Sequence, residues 1–322
     1  MSTAFIFPGQ GSQTVGMGKG LAHDFAAARE VFEEVDAALG EKLSAIIWEG
    51  PPEKLTLTQN AQPALMAMSL AVMRVLQSET GLDLTHEVQF LAGHSLGEYS
   101  ALAAAGALSI ADTARLLRIR GRAMQDAVPV GAGAMAALLG LDFDQAAAVA
   151  LEAQQGEVCQ AANDNGAGQV VISGHRPAVE RAMEIAKSKG ARRAMMLPVS
   201  APFHCALMQP AAEVMAQALA QSTIDSPAVP IVANVSARPV RQPGDIRRLL
   251  VSQVTGTVRW RESIGWMASA GVTDFYEIGA GKVLSGLVRR IAEGARGFAV
   301  GTAEDIRSFK NAGIGRAPQA AS

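Results

Sequence analysis

Cysteine is nearly absent from this chain. Cys159 and Cys205 are the only two among 322 residues, too few for a disulfide framework and in keeping with a reducing cytoplasm. An excess of charge of either sign is also missing. Twenty-eight Lys and Arg stand against 30 Asp and Glu, a net charge of −2, which argues against nucleic acid as a partner. No uninterrupted apolar stretch is long enough to span a bilayer. The opening Met1-Ser2-Thr3-Ala4-Phe5 has neither the basic start nor the apolar segment of an export signal. There is no internal repeat, and no metal site is expected. These absences leave a soluble cytoplasmic protein, expected to act as a monomer.

What the chain does have is apolar material, 49% of its residues, enough for a large core. Residues 3–7 read as a first strand, ending in Pro8-Gly9-Gln10-Gly11-Ser12. Helices follow at 21–39 and 62–79, the second with Pro63 in its first turn. The apolar run 88–92 reads as a buried strand entering Gly93, and an alanine-rich helix succeeds it. Strand–helix alternation with short connections predicts a parallel α/β core. Ser109 and Asp112 have the spacing of a helix start. On that helix Arg115, Arg118 and Arg122 share a polar face, whereas Arg120 falls among Leu116, Leu117 and Met124 and should need an anion. Between 133 and 199 the order becomes strand 134–139, helix 142–155, strand 158–162, a turn at 163–166, strand 169–173, helix 177–189 and strand 193–199. This β-α-β-β-α-β order is ferredoxin-like. The core resumes with a helix at 208–221, a strand at 229–235, a helix at 261–270 and a strand at 273–277. The expected division is therefore a discontinuous core of 1–127 and 201–307, an inserted subdomain of 128–200, and a loose Gly/Ala-rich tail of 308–322.

Gly93-His94-Ser95-Leu96-Gly97 lies between a strand and a helix. That is the setting of a nucleophile elbow, a strained turn that lifts a serine hydroxyl clear of the backbone. Its glycines are required because a Cβ at either place would meet the neighbouring strand or helix. The helix after it would bring positive dipole potential to Ser95. It would make the Leu96 N–H an oxyanion donor, faced by that of Gln10 in the first glycine loop. Ser95 also needs a base. His94 adjoins it but should point away, His23 and His86 lie in polar segments, and His175 reads as a solvated turn residue. His204, in Ser200-Ala201-Pro202-Phe203-His204-Cys205, follows an apolar strand on a rigid loop, where catalytic groups are often carried. Arg120 near a nucleophilic serine suits a substrate with a free carboxylate, which a guanidinium grips through two parallel hydrogen bonds. An internal salt bridge is the competing reading. Lys187, Lys189, Arg192 and Arg193 read as a solvated helix end, and Cys205 as packing. A transferase, a serine hydrolase and a silent acyl-binding protein all stay open on these residues.

Motifs spread across the chain narrow the choice. Phe7-Pro8-Gly9-Gln10-Gly11-Ser12-Gln13, Thr58-Gln59-Asn60-Ala61-Gln62-Pro63-Ala64, Gly93-His94-Ser95-Leu96-Gly97-Glu98-Tyr99 and Arg120-Gly121-Arg122-Ala123-Met124-Gln125 are followed by residues 168–174, 198–204 and 277–284. Taken in order, they resemble the malonyl-CoA:acyl carrier protein transacylase family almost from end to end. The resemblance implies an α/β-hydrolase-like core with a ferredoxin-like insertion. It implies ping-pong transfer of malonyl from malonyl-CoA to the phosphopantetheine thiol of acyl carrier protein, through a malonyl-Ser95 ester, for fatty acid biosynthesis. A polyketide or malonate-decarboxylase setting would use the same chemistry. His204 would be base and then acid, oriented by the backbone carbonyl of Gln253 rather than by a carboxylate. Gln10 and Leu96 would supply the oxyanion N–H groups, and Arg120 would hold the malonyl carboxylate. Asn163 and Asn165 would approach the coenzyme A or phosphopantetheine arm. No cofactor is implied, since both thiols enter as parts of substrates. Two positions depart from the family's pattern: Ala167 and Ala280 stand where proline is common.

Overall fold

The computed structural model describes residues 2–312. In chain order its strands are β1 (Ser2–Phe7), β2 (Phe90–Gly93), β3 (Gly133–Leu139), β4 (Cys159–Asp164), β5 (Gln169–His175), β6 (Arg193–Met196), β7 (Ile231–Ala233), β8 (Arg238–Val240), β9 (Val272–Ile278) and β10 (Arg296–Val300). They form two sheets, ordered β10-β9-β1-β2-β7-β8 and β4-β5-β3-β6. In the larger sheet every pairing is parallel except that of β8, which returns antiparallel on β7. Helices cover both faces, so β1 and β2 are apolar on both sides rather than alternating. Phe5, Phe7 and Leu91 point into one core, and Ala4, Ile6 and Ala92 into another.

The smaller sheet is antiparallel throughout. Helices Phe143–Glu152 and Arg176–Ser188 pack on it and on each other, and it has its own apolar core around Ala136, Leu138 and Ile172. This is the expected α/β class, with a parallel core and a ferredoxin-like insertion. The insertion is tied to the core where β4 ends. Asp164 N–H donates to the Val258 carbonyl at 2.9 Å, Val258 N–H to the Ala162 carbonyl at 2.9 Å, and the Thr257 hydroxyl to the Ala161 carbonyl at 2.7 Å.

Several elements differ from expectation, each for a local reason. The helix expected at 21–39 is two, Lys19–Asp24 and Ala26–Leu39, because Phe25 is extended at φ −127° and ψ 121°. The helix expected from 62 begins at Thr58 and runs to Thr80, which puts Pro63 in its second turn. The added first turn carries the polar Thr58 and Asn60, yet both are buried. Asn163 and Asp164 belong to β4, so the turn begins only at Asn165. Strand β6 stops at Met196, two residues before Pro198, whose ring nitrogen cannot donate to a sheet. Arg118, assigned to a polar face, is buried and donates to Asn60 and Glu41. Helices Pro243–Thr255 and Val283–Ile291 add to the expected elements. Residues 308–312, expected in the loose tail, continue a helix, Ala303–Ala312. Phe309 anchors it by packing edge-on against Phe5 and Tyr276. The rest of that tail lies outside the described residues. Among the described residues, no helix is long and apolar enough to cross a membrane.

Candidate active site

Strands β1, β2 and β7 are neighbours in the sheet and all end at one place, the carboxyl edge where open parallel sheets bind ligands. Beyond β2 the chain turns sharply at Ser95, whose φ of 54° is left-handed, a strained setting for a residue with a side chain. The flanking glycines make the turn possible. A Cβ on Gly93 would lie 1.9 Å from the Gly97 carbonyl, and one on Gly97 would lie 2.4 Å from the Phe7 carbonyl oxygen. Asn234, directly after β7, holds the turn from below. Its Oδ1 accepts from Ser95 N–H at 2.8 Å, and its Nδ2 donates to the Gly93 carbonyl at 2.7 Å.

His204 reaches the serine from the other side. Ser95 Oγ and His204 Nε2 are 2.7 Å apart, and His204 Nδ1 lies 2.9 Å from the backbone carbonyl of Gln253. A carbonyl only accepts, so the ring proton sits on Nδ1 and Nε2 is left to accept from the serine hydroxyl. Burial pushes the His204 pKa down to about 3, with the Arg120 charge acting in the same direction and the Gln253 carbonyl opposing. The imidazole is therefore neutral across the ordinary pH range, and its orienting partner is an amide carbonyl.

Arg120 is buried, 1% exposed, on the helix Ile110–Asp126. The anion expected beside it is not a direct partner. One terminal nitrogen donates to Gln62 Oε1 at 2.7 Å. The other donates to Gln253 Oε1 at 2.9 Å and lies 3.2 Å from Ser95 Oγ. Nε is buried and makes no hydrogen bond among the described residues. Glu98 supplies countercharge at one remove. Its Oε2 accepts from Gln253 Nε2 at 2.8 Å and from Asn234 N–H at 3.0 Å, and burial lifts its carboxyl to about 7.

The polar chain continues from Gln62, whose Nε2 donates to Thr58 Oγ1, and from Thr58, whose hydroxyl donates to Gln10 Oε1 at 2.8 Å. The buried amides and hydroxyl thus connect Arg120 to the Gln10 loop. The backbone N–H groups of Gln10 and Leu96 donate to no acceptor among the described residues. Both residues line a cavity of about 480 Å3 together with Ser95, Arg120, Asn163, Asn165 and His204. His94 turns away from Ser95. Its Nε2 meets Asn165 Oδ1 at 2.9 Å and its ring packs on Trp260. His175, expected in solvent, ends β5, and its Nδ1 accepts from Val158 N–H. A second cavity, of about 490 Å3, lies beside Asp24, Glu79 and Arg307 and offers surface ion pairs but no activated nucleophile.

Sequence reasoning gives no role to Asn234, Glu98, Gln62 or Thr58. Gln62 and Thr58 stand in a stretch of family resemblance, and Glu98 directly follows the elbow pentapeptide. Asn234 has only its place after an apolar run as a signal, because its partners are 139 and 141 residues distant in the chain.

Residues 4–308 match the family model described as acyl transferase domain. The malonyl CoA-acyl carrier protein transacylase of Escherichia coli strain K12 is 49% identical over 290 residues, 90% of this chain and 93% of that protein. The crystal structure of acyl-carrier-protein-S-malonyltransferase from Bartonella henselae superposes with a TM-score of 0.94 at 59% identity, covering 97% of this chain and 99% of that one. A malonyl-transacylase solved in complex with a type II PKS acyl-carrier protein superposes with a TM-score of 0.93 at 41% identity, over 97% and 99% of the two chains. With nearly its whole length matched, and a serine elbow at the carboxyl edge of its parallel sheet, this chain belongs to the acyl transferase family, among the malonyl CoA-acyl carrier protein transacylases.

Proposed function

We propose that this enzyme transfers the malonyl group of malonyl-CoA to the phosphopantetheine thiol of an acyl carrier protein, through an ester on Ser95, in the service of fatty acid biosynthesis. The observation that carries the reading is Arg120: a buried guanidinium 3.2 Å from Ser95 Oγ, held by neutral amides, with its Nε unused. A cation so placed favours an acyl group that ends in a carboxylate, because a buried charge gains most from an anion that can also hydrogen-bond it.

The steps follow from the geometry. Ser95 Oγ attacks the thioester carbonyl while His204 Nε2 takes the hydroxyl proton. The Gln10 and Leu96 N–H groups stabilise the oxyanion. The intermediate collapses, the C–S bond breaks, His204 returns its proton to the coenzyme A sulfur, and malonyl remains as the ester. In the second half His204 deprotonates the carrier's thiol, which attacks the ester, and Ser95 recovers its proton. The Gln253 carbonyl keeps His204 in the required tautomer throughout. Asn163 and Asn165, on the cavity wall contributed by the small subdomain, contact the pantetheine arm. Residues 1–127 and 201–307 act as the catalytic core and 128–200 as the subdomain that roofs it. These steps use side chains and substrates alone, without a cofactor, and suit a cytoplasmic enzyme. The relative solved in complex with its acyl-carrier protein supports the choice of acceptor.

Intact mass after mixing with malonyl-CoA tests this directly. The expected result is one malonyl adduct, absent in Ser95→Ala, which moves to the thiol of added holo acyl carrier protein. An adduct lost to water at the same rate with or without the carrier would instead mark a hydrolase.

A further inference from the structure

We infer that Glu98 is a specificity-positioning residue: buried behind the elbow, it fixes which end of the Gln253 side chain faces Arg120. This rests on reading Arg120 as the carboxylate anchor.

Gln253 is 1% exposed, with its side chain between Arg120 and Glu98. A primary amide has one accepting end and one donating end. Beside a guanidinium only the accepting end is favourable, and Oε1 indeed takes the Arg120 hydrogen bond at 2.9 Å. The donating end must then find acceptors in the protein interior. It meets Glu98 Oε2 at 2.8 Å and the Ser95 carbonyl at 3.0 Å, with Asn234 Oδ1 at 3.3 Å. Of these, Glu98 alone contributes a carboxylate.

The same Oε2 accepts from Asn234 N–H, and Asn234 Oδ1 accepts from Ser95 N–H. Glu98 therefore sets the amide beside Arg120 and the asparagine beneath the nucleophile from one atom. Both donors reach Oε2, so a proton on the other oxygen leaves the arrangement intact. This matters because burial lifts the Glu98 carboxyl to about 7. The carboxyl stays one side chain away from the guanidinium. A glutamate directly on Arg120 would form an internal ion pair and compete with an incoming carboxylate. An amide relay aims the guanidinium and leaves its charge for the substrate.

The test compares kcat/KM for malonyl-CoA with that for acetyl-CoA, whose acyl group has no carboxylate, in the full-length enzyme. Glu98→Met keeps the side chain's length but replaces both oxygen acceptors with a weakly accepting thioether. It is expected to lower the malonyl-to-acetyl ratio by ~10-fold or more, mainly through KM for malonyl-CoA. Glu98→Gln, which still presents a carbonyl to both donors, should keep most of the ratio. Gln253→Met should match Glu98→Met, and the double variant should be no worse than either, because one acts through the other. Equal losses on both thioesters in Glu98→Met would reduce Glu98 to a structural role and overturn the inference, as would additive effects in the double variant. If Glu98→Met does not fold, Gln253→Met decides: an unchanged ratio there overturns the relay. Arg120→Ala separates the two levels of the argument, since a ratio unchanged in that variant would refute the anchor itself.

Discussion

At Arg120 the deciding fact is the kind of partner its guanidinium meets. Burial disfavours its charge, and a buried cation is ordinarily matched by a carboxylate. Here Gln62 and Gln253 present amide oxygens instead, so the charge is solvated without being neutralised by direct contact. Arg120→Ala should remove the hydrogen bonds to a bound carboxylate. At about 1.5–3 kcal/mol for each charge-assisted bond, losing a pair costs malonyl-CoA roughly 100-fold or more in kcat/KM. Acetyl-CoA, lacking that carboxylate, should lose far less. Steady-state kinetics on the two thioesters measures this, and equal losses would count against carboxylate recognition. The sequence already places Arg120 on an apolar helix face. The amides around it are out of its view, because they come from positions 58 residues before it and 133 residues after it.

At the scale of the element, the elbow is a close crossing of backbone on backbone. The helix Gly97–Ala104 starts so near the end of β1 that Gly97 has no room for a methyl group: the Phe7 carbonyl oxygen would stand 2.4 Å from it. Neither side of that contact is a flexible side chain, so relief requires moving the helix or the strand. Gly97→Ala should therefore destabilise the protein by about 2 kcal/mol or more and slow the burst of coenzyme A release, because Ser95 sits at the displaced turn. Gly265 makes the contrast. It lies inside the helix Trp260–Ser269, and a Cβ added there would meet nothing within 4 Å, so Gly265→Ala should stabilise by about 0.5–1 kcal/mol. Denaturant midpoints of the two variants should move in opposite directions; a shift in the same direction would refute the steric account. The pentapeptide makes this element legible. Ala167 shows where a motif misleads. Its φ is 53°, which proline cannot adopt, so the turn after Asn165 here follows a path that the family's common proline would forbid.

For the whole molecule, burying the site makes stability depend on pH through two groups of opposite sign. His204 falls from 6.5 to about 3 on folding. Between those values the unfolded chain binds a proton that the native protein refuses, so stability is lost as pH falls through the window. Glu98 rises from 4.5 to about 7. Its native form holds the extra proton, so its contribution is present at low pH and is lost as pH rises through that range. His204→Gln should isolate the first effect. As pH falls from about 6.5 to about 5 its melting temperature should rise relative to that of the parent enzyme; parallel curves would show that His204 is not the group responsible. The sequence by itself determined the parallel core, the ferredoxin-like insertion, the serine turn, and Ser95, His204 and Arg120 as candidates. Each is written in local pattern: apolar runs, glycine spacing, and a charge on an apolar face. The family resemblance already pointed to the Gln253 carbonyl beside His204; only the tertiary structure decided which amides cradle Arg120, and that Glu98 and Asn234 stand behind Ser95. Those contacts join residues distant in the chain: Arg120 meets amides 58 residues before it and 133 after it, and Glu98 meets Gln253 across 155. Hydrogen-bond direction between buried side chains is set by packing in space and has no periodicity along the chain.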